Sequence, residues 1–581
     1  MRAVASLALL VAIVVIVDPR GDFPLIDDWG YALPIEHWLA RGELRFTGWQ
    51  SMTLATQLLW GALFSAPFGF SFTALRLSTL VAAGGALLGQ YWLARELGSE
   101  REGAQWAALT LLANPVFLLL SHTFMTDVPF LALTLASAAL LVRALATGDA
   151  LPWVAGLVLA VAAVLLRQVG LALPMAFCAG VALRFGLGRA LWLGAVLPLG
   201  IAALILVGYE GAIESAGLQS KLYPLRSEAL FSALSDLARG NLGALRHPLE
   251  RSGALILYGG LFSAPAAAWL GVRLLSAVER PERVRLIGAT GTVAVAGTVL
   301  LAALGAELPR FGNLIVDFGL GVRTLAGPVS EDAPRALWLA LTAIALASAF
   351  TLGGLLLREA VERLTGATLP EIRRALAAPV FLVALVAIYF GPLALAYGPS
   401  FDRYFLLPAT VGVALATSST TGLPRPSGRA RAPALLVLAL WLGFSVAGTH
   451  DYLDWNRERY AAAEWLERFG KPASAIDAGF EFGSWRTTRA ALARGTQGGR
   501  VDRPDAPFAV VFEASPGDAV LHVRATHPWL PWAPSRILAI ERALSDPGSD
   551  MRPDRTDGTD REASGLRDPG RRDTESAGIR R

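Results

Sequence analysis

The stretch Pro24-Leu25-Ile26-Asp27-Asp28-Trp29-Gly30-Tyr31 determines how the rest of the chain is interpreted. It follows closely on the first hydrophobic run, residues 3–17, and opens a polar segment rich in Trp and Tyr. Such aromatic side chains favour the boundary between a bilayer and water. The pattern therefore predicts a span that ends before this stretch and a long loop, residues 18–71, at a membrane surface.

The composition agrees with a membrane protein. Of the 581 residues, 54% are hydrophobic and 17% are charged, and the mean hydropathy is +0.49. These values exclude an ordinary soluble protein. A formal net charge of +4 is too small for this length to indicate a nucleic-acid-binding protein. Cys178 is the only cysteine, so the sequence excludes an intrachain disulfide and a cysteine metal cluster.

Thirteen hydrophobic stretches approach the roughly 20 residues that a helix needs to cross a bilayer. We therefore predict a mainly α, polytopic transmembrane protein of about 13 spans. The run at 3–17 lacks a small-x-small cleavage site, so we expect it to stay as the first span. The others are predicted at 73–94, 104–120, 128–146, 151–166, 169–184, 190–208, 254–272, 286–305, 336–357, 376–397, 404–419 and 433–449. The short apolar stretch 54–68 is expected to lie along the interface.

Charge placement gives an orientation. If the N-terminus is inside, the inner loops are short and rich in Arg, as the positive-inside rule requires. The outer loops are longer and contain most of the Asp residues, namely Asp22, Asp27, Asp28, Asp127, Asp236, Asp317, Asp332 and Asp402. This orientation puts loop 18–71, the loop with Asp127 and everything after the last span on the outer side.

The composition changes at His450, which predicts three parts. Residues 1–449 form the transmembrane domain. Residues 450–544 form a small extramembrane α/β domain, with an amphipathic helix at 452–469 and β-like runs at 473–480, 508–513 and 519–523. Residues 545–581, rich in Asp, Arg, Gly, Pro and Ser, are expected to be disordered.

Asp27 and Asp28 have two interpretations. Asp commonly caps helices, and the sequence from Tyr31 onwards is typical of a helix. A long acidic loop after the first span is, however, hard to explain as a connection alone. The aromatic residues around the pair, among them Tyr31, suit stacking on sugar rings or anchoring at lipid headgroups.

Several segments together resemble a known family. The acidic pair after the first span, followed by Ala74-Leu75-Arg76-Leu77, resembles the membrane-embedded glycosyltransferases of the GT-C superfold. The similarity is to glycosyltransferase family 39, the bacterial group with protein O-mannosyltransferases and aminoarabinose transferases. Residues 118–131 are similar to its second outer loop, and residues 402–408 to its late Arg-Tyr pair followed by Pro. Residues 478–485 resemble an element of members with an extra C-terminal domain, and the likeness covers roughly residues 1–450.

The resemblance implies a GT-C-type membrane glycosyltransferase in the bacterial inner membrane, with its active site facing the periplasm. It would move a sugar from a polyprenyl-phosphate-linked donor to an acceptor hydroxyl of a glycan, lipid or protein. No phosphate-binding glycine loop is found, so no nucleotide cofactor is expected.

The chemistry of such a transfer needs a base more than an acid. A lipid phosphate leaves readily, so the acceptor hydroxyl requires only a carboxylate on the opposite face of the sugar, which inverts the configuration in a single displacement. Asp27 is the predicted base, and Asp28 and Asp127 are predicted to position the acceptor or a divalent cation. Two like charges close together would raise the pKa of one of them.

The departing phosphate needs fixed cations. The candidates are Arg76, Arg167, Lys221, Arg226, Arg310 and Arg403. Arg403 is favoured, and the alternative is an ordinary interfacial Arg paired with Asp402. Arg167 interrupts an apolar stretch, which fits either a functional charge or a turn between two spans.

The remaining predicted contacts are with substrate or metal. The predicted substrate-binding residues are Arg403, Tyr404, Arg76, Tyr31 and His122. His37 and His122 either ligate a metal with nearby carboxylates or are simply hydrogen-bonded, and the metal stays unassigned.

Two other classes of function remain open: a transporter or flippase of lipid-linked glycans, and a non-enzymatic protein of envelope assembly. Polar residues are sparse within most predicted spans, whereas a transport pathway usually contains several charges or broken helices at mid-membrane depth. The sequence therefore favours the enzyme.

Overall fold

The computed structural model describes residues 2–220, 222–317, 319–327 and 333–543. The predicted disordered tail, residues 545–581, lies outside this described part.

The chain is a multi-pass membrane protein built mainly of α-helices. The helices up to the middle of the chain are Arg2–Val17 (α1), Asp28–Arg41 (α2), Ala55–Ser65 (α3), Phe72–Glu96 (α4), Arg101–Leu112 (α5), Pro115–Ser121 (α6), Asp127–Thr147 (α7), Ala150–Val164 (α8), Ala172–Phe185 (α9), Arg189–Leu191 (α10), Leu197–Ser215 (α11) and Leu222–Ala238 (α12). The later helices are Arg246–Ala277 (α13), Arg280–Ala303 (α14), Arg335–Leu364 (α15), Leu369–Leu395 (α16), Leu406–Ser418 (α17), Ala432–Arg468 (α18) and Phe480–Ala493 (α19). A π-helical segment, Trp192–Val196, joins α10 to α11.

Each of the thirteen predicted spans coincides with helix, but the helices differ in length. In the described part of the chain, nine helices are long and apolar enough to cross a membrane, and the pair α5 and α6, bent by 66°, makes up to ten. Helices α1, α8 and α17 have 16, 15 and 13 residues. At about 1.5 Å per residue they are shorter than a hydrocarbon core of about 30 Å. Hydrophobicity alone therefore predicts these helices without showing that they span.

The Arg-rich loops meet at one end of the helix bundle. Arg273 in α13 and Arg425 before α18 both contact the carboxylate of Glu100, at 3.4 and 3.0 Å. Arg431 contacts Glu102 at 3.5 Å. These pairs hold together the loops that the charge pattern assigns to the inner side, and they leave loop 18–71 at the opposite end.

The end of the chain departs from the expected division into a span and a separate helix. No Gly or Pro interrupts residues 449–468, and α18 runs unbroken from Ala432 to Arg468. Four short strands then form one sheet: Ile476–Asp477 (β3), Phe508–Val511 (β4), Ala519–Ala525 (β5) and Arg536–Glu541 (β6). Its order is β3-β4-β6-β5, with β3 parallel to β4 and the other pairs antiparallel. The strand β6 and the helix α19 lack a clear sequence signal and were not predicted.

A small hairpin, Ile315–Val316 (β1) with Gly319–Leu320 (β2), lies between α14 and α15. The hairpin is important because it binds a carboxylate next to the candidate site, as described below.

Single cysteines would test the orientation. In a chain with Cys178 replaced by Ala, Glu43→Cys and Pro516→Cys should react with a membrane-impermeant maleimide in intact cells, because both exposed positions lie on the predicted outer side. Asp149→Cys, between α7 and α8, should react only after permeabilisation. Reaction at only one of positions 43 and 516 would contradict the orientation, since it requires an even number of crossings between them.

Candidate active site

Charged and phenolic side chains gather where several helices end on the side of loop 18–71. Their positions on the backbone differ widely. Asp27 precedes α2, and Asp127 begins α7. Arg167 lies in the break between α8 and the 3₁₀ turn Gln168–Leu171, and Arg403 lies in the 3₁₀ turn Asp402–Phe405. These four residues, together with three tyrosines described below, form what we call the outer site.

Arg403 is the centre of the outer site. Its side chain is 8% exposed, and its Nε and Nη1 are buried without a hydrogen-bond partner among the described residues. Burial lowers the pKa of Arg403, but the carboxylates of Asp127 and Asp27, with the phenols of Tyr404 and Tyr31, raise it above its usual value. The guanidinium lies 4.9 Å from the ring centre of Phe401. It is therefore a fixed positive charge with donors to spare.

Asp402 does not neutralise Arg403. Its Oδ2 accepts hydrogen bonds from the backbone N–H groups of Leu314 and Ile315, at 2.8 and 2.7 Å, and so holds the β1–β2 hairpin. Burial raises the pKa of Asp402 to about 6, although those two N–H groups lower it. No carboxylate oxygen of the described residues lies within ion-pair distance of Arg403. The alternative of an interfacial Arg paired with Asp402 is therefore not what the structure contains.

Asp127 and Arg167 form a buried ion pair in the outer site. Arg167 Nη1 donates to Asp127 Oδ1 at 2.9 Å, with side-chain exposures of 13% and 7%. The other oxygen of Asp127 has no partner within the described chain, and the guanidinium of Arg167 lies 5.6 Å from the ring centre of Phe130. Arg167 thus marks the turn between two helices and also carries charge into the site, so both interpretations of this residue apply.

Asp27 is held by an aromatic donor. Trp49 Nε1 donates to Asp27 Oδ1 at 2.9 Å, and the rings of Trp49 and Trp29 stack at 6.1 Å. Asp27 occupies the N-cap position of α2, but its side chain makes no capping hydrogen bond. The capping interpretation therefore does not account for this carboxylate, which is half-buried rather than enclosed.

Three tyrosines surround the charges. Tyr31, one turn along α2, interacts electrostatically with Asp27, Arg403, Arg167 and Asp127. Burial is the main reason that the pKa of Tyr31 is raised. Tyr404 follows Arg403 and stacks edge-on against Phe401 at 5.5 Å. Tyr389 near the end of α16 interacts electrostatically with both arginines and with Asp127.

A small half-open cavity lies near the outer site. Its lining is mainly apolar and includes Met52, Ile213 and Leu218 together with the polar Gln50 and Glu210. The hydroxyl of Thr126 donates to the sulfur of Met52 at 3.2 Å, which connects the cavity wall to the residue before Asp127. One wall of the cavity is therefore tied to the start of α7.

Asp28 does not join the outer site. It is fully buried, and its oxygens accept from the backbone N–H of Leu25 at 2.6 Å and of Phe124 at 3.4 Å. Burial raises the pKa of Asp28 to about 7, while the guanidinium of Arg76 lowers it. Burial, and not a like-charge pair with Asp27, accounts for this shift. In place of the predicted contact with an acceptor or ion, Asp28 binds two backbone segments together.

Arg76 and His122 belong to the same buried group as Asp28. Arg76 donates to the carbonyls of Pro19 and Gly21 at 3.0 and 2.9 Å and to that of Phe23 at 2.5 Å, so its donors hold loop 18–71 instead of a substrate phosphate. His122 Nδ1 lies 2.8 Å from the carbonyl of Leu118. Burial lowers the pKa of His122 to about 4, which leaves a neutral ring with Nδ1–H as donor. Neither residue is placed to contact a substrate in the outer site.

The described contacts of two other candidates, His37 and Arg310, do not include a residue of the outer site. No three His, Cys, Asp or Glu side chains of the described residues come together as ligands for a metal ion. His37 is nearly buried on α2, and the backbone N–H of Arg310 donates to the hydroxyl of Tyr258 at 3.2 Å. Lys221 and the side chain of Arg226 lie outside the described part of the chain.

Sequence reasoning missed Tyr389 and the role of Trp49. Tyr389 is a single polar aromatic near the end of an apolar segment, which is a signal that could have been used. Trp49 lies in the same aromatic-rich loop, but its hydrogen bond to Asp27 depends on a turn of the loop that the sequence does not specify.

Comparisons with known proteins were made for the whole chain. No protein-family model matches it, and no curated protein matches it. Two crystal structures of ArnT from Cupriavidus metallidurans are similar in outline. The one bound to undecaprenyl phosphate has a TM-score of 0.37 and 15% identity, covering 92% of this chain and 98% of that chain. The apo structure has a TM-score of 0.36 and 15% identity, covering 94% and 99%.

Asp28→Asn tests the separation between the two groups of residues. Because the pKa of Asp28 is raised from 3.8 to about 7, its contribution to stability is complete below about pH 4 and is lost as the pH rises through about 7. Asparagine stays neutral and keeps an acceptor for Leu25 N–H, so the melting temperature of the variant should fall less between pH 4 and 7 than that of the parent. Asp505→Asn, at an exposed position, should keep the parent's slope. Equal slopes for Asp28→Asn and the parent would contradict the assignment.

Proposed function

We propose that the protein is an integral-membrane glycosyltransferase that takes a sugar from a polyprenyl-phosphate donor and transfers it to an acceptor hydroxyl on the outer side. The observation that carries the proposal is Arg403, a buried guanidinium with two nitrogens that have no hydrogen-bond partner among the described residues. It lies among Asp27, Asp127 and Tyr31 at the outer ends of apolar helices. A fixed cation with free donors at this depth suits an anionic group presented from the bilayer.

A phosphate group suits Arg403 because a guanidinium offers it two parallel hydrogen-bond donors. The nearest carboxylate in sequence, Asp402, does not compete, because it binds the backbone of the β1–β2 hairpin. Asp127 balances part of the positive charge through Arg167 at 2.9 Å. Arg403 therefore keeps hydrogen-bond donors for one more acceptor, and the head of a lipid phosphate supplies it.

The reaction then follows as a single displacement. The acceptor oxygen attacks C1 of the sugar from the face opposite the phosphate and loses its proton to Asp27. The bond between C1 and the phosphate oxygen breaks, and polyprenyl phosphate leaves with one additional negative charge. Arg403 stabilises that charge as it develops, and the configuration at C1 is inverted.

Asp27 is suited to the role of base by its surroundings. Trp49 fixes one oxygen of Asp27 through a hydrogen bond of 2.9 Å. The Asp27 carboxylate forms no ion pair with any described residue. The other oxygen is then available for the acceptor proton.

Asp27→Asn should lower transfer by at least about a hundredfold, the usual contribution of general-base catalysis. The protein level and melting temperature should stay close to those of the parent, because the carboxylate makes no capping bond. Transfer is measured with purified protein and a polyprenyl-phosphate sugar. Asp505→Asn is the matched control and should retain full activity. Turnover of Asp27→Asn near the parent level would exclude Asp27 as the base.

Arg403 separates an enzyme from a transporter. Arg403→Lys should lose part of the activity and Arg403→Ala nearly all of it, because lysine provides a point charge without the paired donors of a guanidinium. Arg536→Ala, at an exposed position in β6, is the matched control. In detergent there is no second compartment, so an enzyme still releases glycosylated product and free polyprenyl phosphate. Translocation of the lipid in proteoliposomes without product from any donor would establish a flippase instead.

A further inference from the structure

The loop after α19, residues 494–500, touches the first outer loop one residue away from the tryptophan that holds Asp27. The backbone N–H of Gly48 donates to the carbonyl of Gly498 at 2.6 Å. The carbonyl of Gly48 accepts from the hydroxyl of Ser220 at 2.8 Å. Both backbone polar groups of Gly48 are thus fixed from outside its own loop, and Trp49 follows directly.

Both glycines are required by the closeness of this contact. A Cβ on Gly48 would lie 2.5 Å from the carbonyl oxygen of Gly498. A Cβ on Gly498 would lie 2.4 Å from Oγ1 and 2.7 Å from Cα of Thr488 in α19. A distance below 3.0 Å to backbone atoms cannot be relieved by turning a side chain. By contrast, a Cβ on the neighbouring Gly499 would meet nothing within 4 Å.

Other contacts hold the same two regions together. Arg489 of α19 forms an ion pair with Glu36 of α2, and Arg41 at the end of α2 donates to the carbonyl of Ala493 at 3.3 Å. Gln497 Nε2 lies within 3.5 Å of the carbonyls of Leu218 and Gln219, which line the cavity beside the outer site. The C-terminal sheet region is therefore attached to the helix that presents Asp27 and Tyr31.

The same loop also brings a charge near Asp27. Burial lowers the pKa of Arg500, while its hydrogen-bonded partner Asp502, together with the more distant carboxylates of Asp27 and Glu481, raises it above its usual value. The Arg500 guanidinium lies 4.3 Å from the ring centre of Phe480. Asp27 is thus within the electrostatic range of the C-terminal region.

We propose that the C-terminal region is a positioning part of the active site. The Gly48–Gly498 contact sets the position of Trp49, and Trp49 sets the carboxylate of Asp27. This inference rests on the proposed function, since it takes Asp27 to be the base. Gly48, Gly498 and Trp49 act through Asp27 and do not touch the reacting atoms.

Four variants test the inference in the full-length protein. Gly498→Ala should displace the loop and lower kcat by about tenfold to a hundredfold, since a displacement of about 1 Å at a catalytic group has an effect of that size. Trp49→Phe removes the N–H donor to Asp27, and Gly48→Ala separates Gly48 from Gly498. Both variants should lower kcat by a similar factor. KM for the polyprenyl-phosphate sugar should stay unchanged, because Arg403 binds the phosphate. Gly499→Ala is the control and should match the parent.

Hydrogen exchange provides a readout that does not depend on activity. Peptides covering residues 43–53 should exchange faster in Gly498→Ala than in Gly499→Ala, with similar melting temperatures. Parent-like kcat in Gly498→Ala and Trp49→Phe, with Asp27→Asn inactive, would overturn this inference alone. If Gly498→Ala does not accumulate, Gly48→Ala and Trp49→Phe decide by the same criterion. Parent-like turnover of Asp27→Asn would instead overturn the proposed function.

Discussion

A guanidinium buried without enough acceptors is costly, and Arg403 places this constraint on its surroundings. The neighbouring carboxylate is not available to it, because Asp402 binds the backbone of the β1–β2 hairpin. Charge is balanced from farther away, by Asp127, Asp27 and the phenols of Tyr404 and Tyr31. Asp27 and Tyr31 come from the start of α2 and Asp127 from the start of α7, so these helix ends must meet for Arg403 to be tolerated. The free donors that remain are what make the site suited to a phosphate.

The first outer loop is held by a separate buried group, which explains why two adjacent aspartates have different roles. Arg76 binds three carbonyls of the loop, and Asp28 binds one N–H group in the loop, that of Leu25, and one outside it, that of Phe124. Asp27, one residue earlier, turns to Trp49 and the outer site. Asp28 is therefore fixed by buried contacts, whereas the neighbouring Asp27 carboxylate is half-exposed. Tyr460 of α18 also donates to the carbonyl of Pro24 at 3.1 Å, so α18 contacts the same loop.

The sequence predicts the helices well because hydrophobic runs are local, and all thirteen predicted spans fall on helix. The lengths are less predictable, since a run such as α17 is apolar but has only 13 residues. Asp27, Asp127, Arg167, Arg403, Tyr31 and Tyr404 come together at one end of the bundle. The sequence predicts the same chemistry for Arg76 and Asp28, but they support the loop, and His122 bonds to Leu118 in its own helix. Arg76 binds carbonyls more than 50 residues away and Asp28 binds the N–H of the distant Phe124, and no local pattern reveals such contacts.

The most direct measurement of the central claim is a structure of the purified protein with a polyprenyl phosphate bound. We expect the phosphate to contact the free nitrogens of Arg403, with Asp27 and Trp49 across the space that a sugar would occupy. Phosphate density at another place, with Arg403 still lacking a partner, would contradict the assignment of the outer site.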